Sequence, residues 1–313
     1  MTRVAVASRS FSRHPVLRAE LEQRYPGAVF NDSGRSLSGD DLVAFLSGCD
    51  RAITALERVD DALLDRLPDL KVLSKYGVGF DMIDLSALAR RGIRLGWTGG
   101  VNRRSVSELV LAMAIALLRH VPAAHREVLA GTWRQHVGTQ LSGKVVGIVG
   151  CGHIGKDLTP LLRAFGCTVL ACDIRDFPDF YTRHEIRPVS LEQLLTESDV
   201  VTLHVPLDDS TRGMISSERL ALMKPSAVLI NAARGGLVDE AALKMALKSG
   251  RLAAAGSDVF AVEPPDDVEL LALPNFLVTP HIGGSSEEAI LAMGRAAIAG
   301  LDSAGDPFLI VAG

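Results

Sequence analysis

Lys144-Val-Val-Gly-Ile-Val149-Gly150-Cys151-Gly152-His153-Ile154-Gly155 is the stretch on which the fold turns. Its first half is a short apolar run rich in β-branched residues, which reads as a buried strand. Its second half is G-x-G-x-x-G, and the residues from there through Phe165 carry a helical pattern. A glycine turn between strand and helix has a specific physical use. Gly150 permits the tight turn, Gly152 lets backbone approach a pyrophosphate, and Gly155 lets helix and strand pack closely. The unsatisfied N–H groups at the helix start, with the helix dipole behind them, favour an anion there. The next β-type run, Thr168–Cys172, ends in Asp173, 18 residues beyond Gly155. A carboxylate at that place accepts hydrogen bonds from ribose hydroxyls and repels a 2′-phosphate, so the expected cofactor is NAD. Arg175, two residues later, could swing toward such a phosphate, which leaves the strictness of NAD over NADP open.

On both sides of this unit short β-type runs alternate with helical stretches, the pattern of α/β folds with parallel sheets. The first hundred residues predict strands near Val4–Ala7, Arg51–Ala55, Lys71–Ser74 and Ile93–Leu95. Helices are expected near 15–25, 39–48, 60–67 and 84–91. A long helix is expected from Ser105 to His120, with Ser105 and Glu108 as a capping box and Pro122 ending it. A second helix runs to Ala130, followed by an irregular segment, Thr132–Thr139. A second α/β unit extends from Lys144 to about residue 283, then a last helix, Ser285–Leu301, and a short tail. The expected organisation is discontinuous: residues 1–100 with 284–313 form a substrate-binding domain, and residues 101–283 form a dinucleotide-binding domain.

Bulk properties narrow the function. The 313 residues are 48% hydrophobic and 22% charged, which suits a large soluble core, and the net charge of −4 leaves no footprint for nucleic acid or an anionic membrane. The four cysteines, at 49, 151, 167 and 172, form no C-x-x-C pair, and no histidine cluster completes a metal site. The longest apolar run, Leu109–Leu118, is about half of a membrane span. A cytoplasmic location is expected, with no metal, no nucleic acid and no membrane partner.

Three further segments end strands where α/β sheets carry their chemistry. They are Ala227-Val-Leu-Ile-Asn231-Ala-Ala-Arg234-Gly235-Gly236, Ala255-Gly-Ser-Asp258-Val-Phe-Ala-Val-Glu263-Pro264, and Phe276-Leu-Val-Thr279-Pro280-His281-Ile-Gly283-Gly284. Hydride transfer to a 2-keto acid needs a cation for the carboxylate and a proton for the forming alkoxide. Arg234 offers a fork of donors. His281 is the natural acid–base group, and Glu263 can orient its ring and stabilise the imidazolium form.

With these motifs the chain resembles the D-isomer-specific 2-hydroxyacid dehydrogenase family over nearly its whole length. The resemblance implies two Rossmann-like or flavodoxin-like domains with parallel sheets and an active site in the interdomain cleft. It implies Arg234, Glu263 and His281 as catalytic residues. Gly150, Gly152, His153, Ile154, Gly155, Asp173, His204, Val205, Pro206, Thr211, Ala232, Asp258 and Gly283 would serve the cofactor. Within that set, Val205 and Pro206 would line the adenine pocket and Asp258 would hold the nicotinamide amide. The turn Lys75-Tyr76-Gly77-Val78-Gly79 would bind substrate, with Arg104, Ser105 and Arg134 nearby. A homodimer built on the interdomain helices and residues 122–140 is implied as well. Met82 stands where many members carry Asn, and Gly99 where Pro is common; both departures bear on substrate identity.

Lys75, Arg104 and Arg134, in addition to Arg234, suggest a 2-hydroxy acid with a second anionic group, as in phosphoglycerate dehydrogenases of the short form without a regulatory domain. The alternatives are a hydroxypyruvate or glyoxylate reductase, with those cations solvated or paired with protein carboxylates, and an NAD(H)-sensing corepressor-like binding protein. Glu263 argues against a formate dehydrogenase of the same superfamily, which pairs its histidine with Gln. Phosphite oxidation is less well excluded.

Overall fold

The computed structural model of the chain describes residues 2–312. It divides into two compact units, one comprising the residues up to Asn102 with those from Gly284 on, the other Arg103–Gly283.

In the first unit the strands are β1 (Val4–Val6), β2 (Val29–Phe30), β3 (Arg51–Thr54), β4 (Val72–Lys75) and β5 (Arg94–Gly96). They form one parallel sheet in the order β2-β1-β3-β4-β5, the doubly wound flavodoxin-like arrangement. Both faces are buried. Leu42, Leu46, Leu64 and Leu88 cover one, while Phe11, Leu17, Leu21 and Ile298 cover the other. The helix Glu287–Ser303 reaches this unit by backbone contact: a Cβ at Gly96 would lie 2.3 Å from the Gly300 carbonyl oxygen.

In the second unit β6 (Val145–Val149), β7 (Thr168–Cys172), β8 (Arg187–Pro188), β9 (Val200–Leu203), β10 (Val228–Asn231), β11 (Ala254–Ser257) and β12 (Phe276–Val278) form a parallel sheet ordered β12-β11-β10-β9-β6-β7-β8. Successive residues serve opposite faces. Val146, Ile148, Val228 and Ile230 join the core under the helices Arg103–Leu118 and His153–Ala164. Val149, Val201, Leu203 and Leu229 join the core on the other side. The strand order reverses between β6 and β9, which places Gly150 and His204 side by side at the carboxyl edge, the switch point where such sheets bind ligands.

The expected two parallel sheets are present, and the differences from the expected elements are local. β2 is only two residues long and gives no readable pattern. The segment expected as a helix over 60–67 is helical only at Asp61–Leu64. The long helix begins at Arg103, so Ser105 lies inside its first turn and does not cap it. Arg103 and Arg104 both face Asp157, at 3.8 and 3.0 Å, and this pairing accompanies the earlier start. The helix ends at Leu118; His120, in the left-handed region (φ 55°), makes the break, and Pro122 opens the next helix, Val121–Leu129. The last long helix is capped by Ser286, whose Oγ accepts the Ala289 N–H, and extends to Ser303. Residues Pro307–Ala312, expected as a tail, form a further helix, with Asp306 accepting from the Phe308 and Leu309 N–H groups. Among the described residues no single helix is long and apolar enough to cross a membrane, and no group of three or more His, Cys, Asp or Glu side chains could hold a metal ion.

Candidate active site and dinucleotide cradle

The cradle begins at Gly150, which follows β6 with φ 98°. A Cβ there would lie 2.6 Å from the His204 carbonyl oxygen, so both conformation and space demand glycine. At Gly152, the residue before the helix His153–Ala164, an added Cβ would meet nothing within 4 Å. The backbone there is open, and no side chain caps the helix start. The first N–H groups, of His153, Ile154 and Gly155, are therefore placed to meet an anion. Gly155 is buried against the Gly150 carbonyl.

Asp173 stands at the end of β7 and is fixed by two backbone donors. Its Oδ2 accepts from Cys151 N–H at 2.6 Å and its Oδ1 from Arg175 N–H at 2.8 Å. Each oxygen can accept a second hydrogen bond, so an oriented anionic acceptor remains for a diol. His204 follows β9 with Nε2 at 2.9 Å from the Thr202 hydroxyl, while its Nδ1 is buried without a partner among the described residues. Burial pushes its pKa down to about 3, so the ring is neutral. Thr211 closes the following loop by donating to the Pro206 carbonyl at 2.8 Å and accepting the Asp208 N–H at 2.9 Å. Val205 lies in this loop, against Gly150. Partial burial, with the cations of Arg103, Lys156 and Arg175 around it, holds His153 below the ordinary histidine range. Burial raises the Cys151 thiol to about 11, which makes it a spacer and not a nucleophile. An open backbone approach, uncapped helical N–H groups, a fixed carboxylate and an orphaned imidazole nitrogen together fit a dinucleotide.

The three chemistry-bearing segments converge beside it on β10, β11 and β12. Asn231 ends β10 and folds the next turn by accepting from Ala233 N–H and donating to the Arg234 carbonyl. Ala232, buried, begins that turn. Arg234 Nη1 donates to the Ala233 carbonyl at 2.7 Å. Gly235 then meets the second segment: a Cβ there would fall 1.9 Å from the Phe260 carbonyl oxygen, a place only glycine can occupy. Phe260 N–H donates to Glu263 Oε1 at 3.1 Å, and Glu263 Oε2 lies 3.0 Å from His281 Nδ1. His281 Nε2 is thus the ring atom left for a proton-transfer partner. Both side chains are partly exposed, His281 by 49% and Glu263 by 39%. Asp258, fully buried, ties the third segment down by accepting from Thr279 Oγ1, Ile282 N–H and Gly283 N–H at 2.5, 2.8 and 2.7 Å. Thr279 and Asn231 were not singled out from sequence; an Asx residue ending a strand before a turn is the signal that marks Asn231.

The remaining expected substrate residues are distributed differently. Arg104 pairs with Asp157 at 3.0 Å, and Ser105 is partly buried in the same helix turn. Arg134, largely exposed, lies 3.8 Å from Glu127, which also holds His136 at 2.8 Å. In the first unit Lys75 ends β4, is only 4% exposed, and donates to the Ala55 and Tyr76 carbonyls. The turn Gly77-Val78-Gly79 follows it.

The fold and this site define a dinucleotide-binding α/β protein with a carboxylate-oriented histidine. Residues 111–283 match the family model described as D-isomer specific 2-hydroxyacid dehydrogenase, NAD binding domain. A D-3-phosphoglycerate dehydrogenase of Mycobacterium bovis is 39% identical over 261 residues, covering 82% of this chain and 49% of that one, so this chain spans about half the length of that relative. A hydroxypyruvate reductase of Thermotoga maritima is 37% identical over 259 residues, 81% of this chain and 84% of that one. The crystal structure of D-lactate dehydrogenase from Aquifex aeolicus, complexed with NAD and lactic acid, is 25% identical, with a TM-score of 0.83 over 96% of this chain and 95% of that one. The chain belongs to the D-isomer specific 2-hydroxyacid dehydrogenase family, and NAD is its cofactor.

Proposed function

We propose that the protein is an NAD-dependent D-2-hydroxyacid dehydrogenase acting on a small 2-keto acid and its 2-hydroxy acid, with one carboxylate and no second anionic group. The observation that carries the reaction is the His281–Glu263 pair at 3.0 Å, held on the same sheet edge as the dinucleotide cradle. When bound, NAD supplies the hydride acceptor, and NADH the donor. Gly150, Gly152, Gly155, Asp173 and the 204–211 loop hold it. Arg234 binds the substrate carboxylate and polarises the ketone. His281 Nε2 gives a proton to the forming alkoxide during reduction and takes it back during oxidation, while Glu263 keeps the ring oriented through Nδ1. Asp258 and Thr279 set the position of the His281 loop.

The single-anion reading rests on the cations first suspected of binding a second anion. Arg104 faces Asp157, Arg134 faces Glu127, and the Lys75 ammonium is buried against carbonyls. Hydroxypyruvate and glyoxylate are substrates of this class. A homodimer is part of the proposal, supported by apolar side chains on the 121–137 segment that reach solvent, above all Leu129, Trp133 and Val137. Four cysteines without disulfides support a cytoplasmic location. The test is NADH oxidation with hydroxypyruvate, glyoxylate, pyruvate, 3-phosphohydroxypyruvate, phosphonopyruvate and oxaloacetate. Preference for a monoanionic acid is expected; preference for the doubly anionic ones overturns the substrate reading, and no turnover with any of them overturns the enzyme reading.

A further inference from the structure

Two side chains in the first unit hold the glycine turn after β4 by its carbonyl groups. Lys75 Nζ donates to Tyr76 O at 3.0 Å and, across to the turn after β3, to Ala55 O at 2.6 Å. Ala55 is also held through the preceding peptide, since its N–H donates to Oε2 of the buried Glu57 at 2.6 Å. Three residues beyond Lys75, the indole N–H of Trp97 donates to Val78 O at 2.8 Å, and Trp97 is itself set edge-on against Phe80 with ring centroids 5.4 Å apart.

A trans peptide is planar, and its C=O and N–H point in opposite directions. Holding Tyr76 O therefore aims the Gly77 N–H away from Lys75, and holding Val78 O aims the Gly79 N–H away from Trp97. Among the described residues none accepts a hydrogen bond from the N–H of Gly77, Val78 or Gly79. Successive outward N–H groups in a glycine turn form an anion-binding concavity. A buried ammonium committed to carbonyl oxygens is poorly placed to receive a second anion, because leaving those oxygens unpaired carries a desolvation cost.

We propose that Lys75 and Trp97 are positioning residues that orient the Gly77 and Gly79 N–H groups toward a single substrate carboxylate, and that Lys75 is not a receptor for a second anionic group. This rests on the reading of the protein as a 2-keto acid reductase. The substitutions Lys75→Met and Trp97→Phe each remove a donor while keeping much of the side-chain bulk, and Lys75→Arg keeps the charge with a different donor geometry. Steady-state kinetics with glyoxylate and with 3-phosphohydroxypyruvate read the outcome, beside NADH affinity by fluorescence.

Lys75→Met is expected to raise the KM for both acids by a similar factor of about tenfold or more. Trp97→Phe is expected to raise it about three- to tenfold, each with NADH affinity unchanged. Loss confined to the phosphorylated acid in Lys75→Met, or an unchanged KM in Trp97→Phe, overturns the proposal. Should Lys75→Met fail to fold, Trp97→Phe and Lys75→Arg still test it. Should the wild type reduce no acid in the panel, the enzyme reading fails separately. The turn is then tested by adding oxamate and following the Gly77 and Gly79 amide resonances. A perturbation in the wild type that is lost in Trp97→Phe upholds the positioning role, and no perturbation in the wild type overturns it.

Discussion

The main chain of His281 is held by Asp258. Its N–H donates to the Asp258 carbonyl at 2.8 Å, and the two residues after it donate to the Asp258 carboxylate. His281 adopts φ 56°, the left-handed region that non-glycine residues enter only under constraint, so this network maintains a strained backbone at the histidine. Asp258→Ala leaves three donors without their acceptor, the Gly283 N–H buried and the Thr279 hydroxyl and Ile282 N–H part-buried. The melting temperature should fall by roughly 5–10 °C, and kcat should fall as well, because His281 loses its fixed position. A variant melting like the wild type by calorimetry would remove Asp258 from this role.

His281→Ala removes the ring that exchanges the substrate proton, while the cradle residues around Gly150 and Asp173 keep their hydrogen bonds. Turnover should drop on the order of 10³-fold, with NADH affinity, measured by fluorescence titration, within about twofold of wild type. Glu263→Gln keeps a hydrogen-bonding group near His281 Nδ1 but no longer offers two carboxylate oxygens to hold both the ring and the Phe260 N–H. Its kcat should fall by about 10- to 100-fold with little change in KM. Full activity in His281→Ala would refute the proposed chemistry.

The glycine cradle and the pairing of His281 with Glu263 were legible in the sequence because their requirements are local. A dinucleotide turn demands glycines at fixed spacing, and each of Arg234, Glu263 and His281 sits just past a β-type run with its own turn residues. What was not legible depends on partners distant in the chain. Lys75 reads as a charge next to a glycine turn; its burial is decided by Ala55, twenty residues earlier. Asp258 reads as a ligand-facing carboxylate, yet its oxygens accept from a segment more than twenty residues later. Ser105 with Glu108 has a capping-box pattern, but the helix starts two residues earlier, where arginines meet Asp157. The helix Pro307–Ala312 had a signal in Asp306-Pro307 that a short terminal segment obscured.

Gly235 joins the arginine turn to the glutamate loop through its missing side chain. Gly235→Ala would drive a Cβ into the Phe260 carbonyl, which must move. Because Phe260 N–H also holds Glu263, the displacement reaches the histidine pair. The expected result is a loss of kcat/KM of about 10²-fold or more, larger than the accompanying loss of thermal stability would suggest. Gly236→Ala, with open contacts beyond 3.4 Å but φ 81°, should lose stability through backbone strain and less activity. Equal activity losses in the two variants would argue against a specific link between the loops.

His204 ties stability to pH with a definite sign. The folded ring titrates near 3, against an ordinary value of 6.5, so below about pH 6.5 the unfolded chain takes up a proton that the native protein refuses. The native state keeps the full contribution above pH 6.5 and loses it progressively as the pH falls toward 3. Between pH 7 and pH 5 the loss amounts to about 1–2 kcal/mol, at about 1.4 kcal/mol per unit below 6.5. Urea unfolding of the cofactor-free protein at the two pH values measures it. His204→Gln, which cannot titrate but can still reach the Thr202 hydroxyl, should be less stable than wild type at pH 7 yet lose less on acidification. Parallel losses in wild type and variant would show that His204 is not the group responsible.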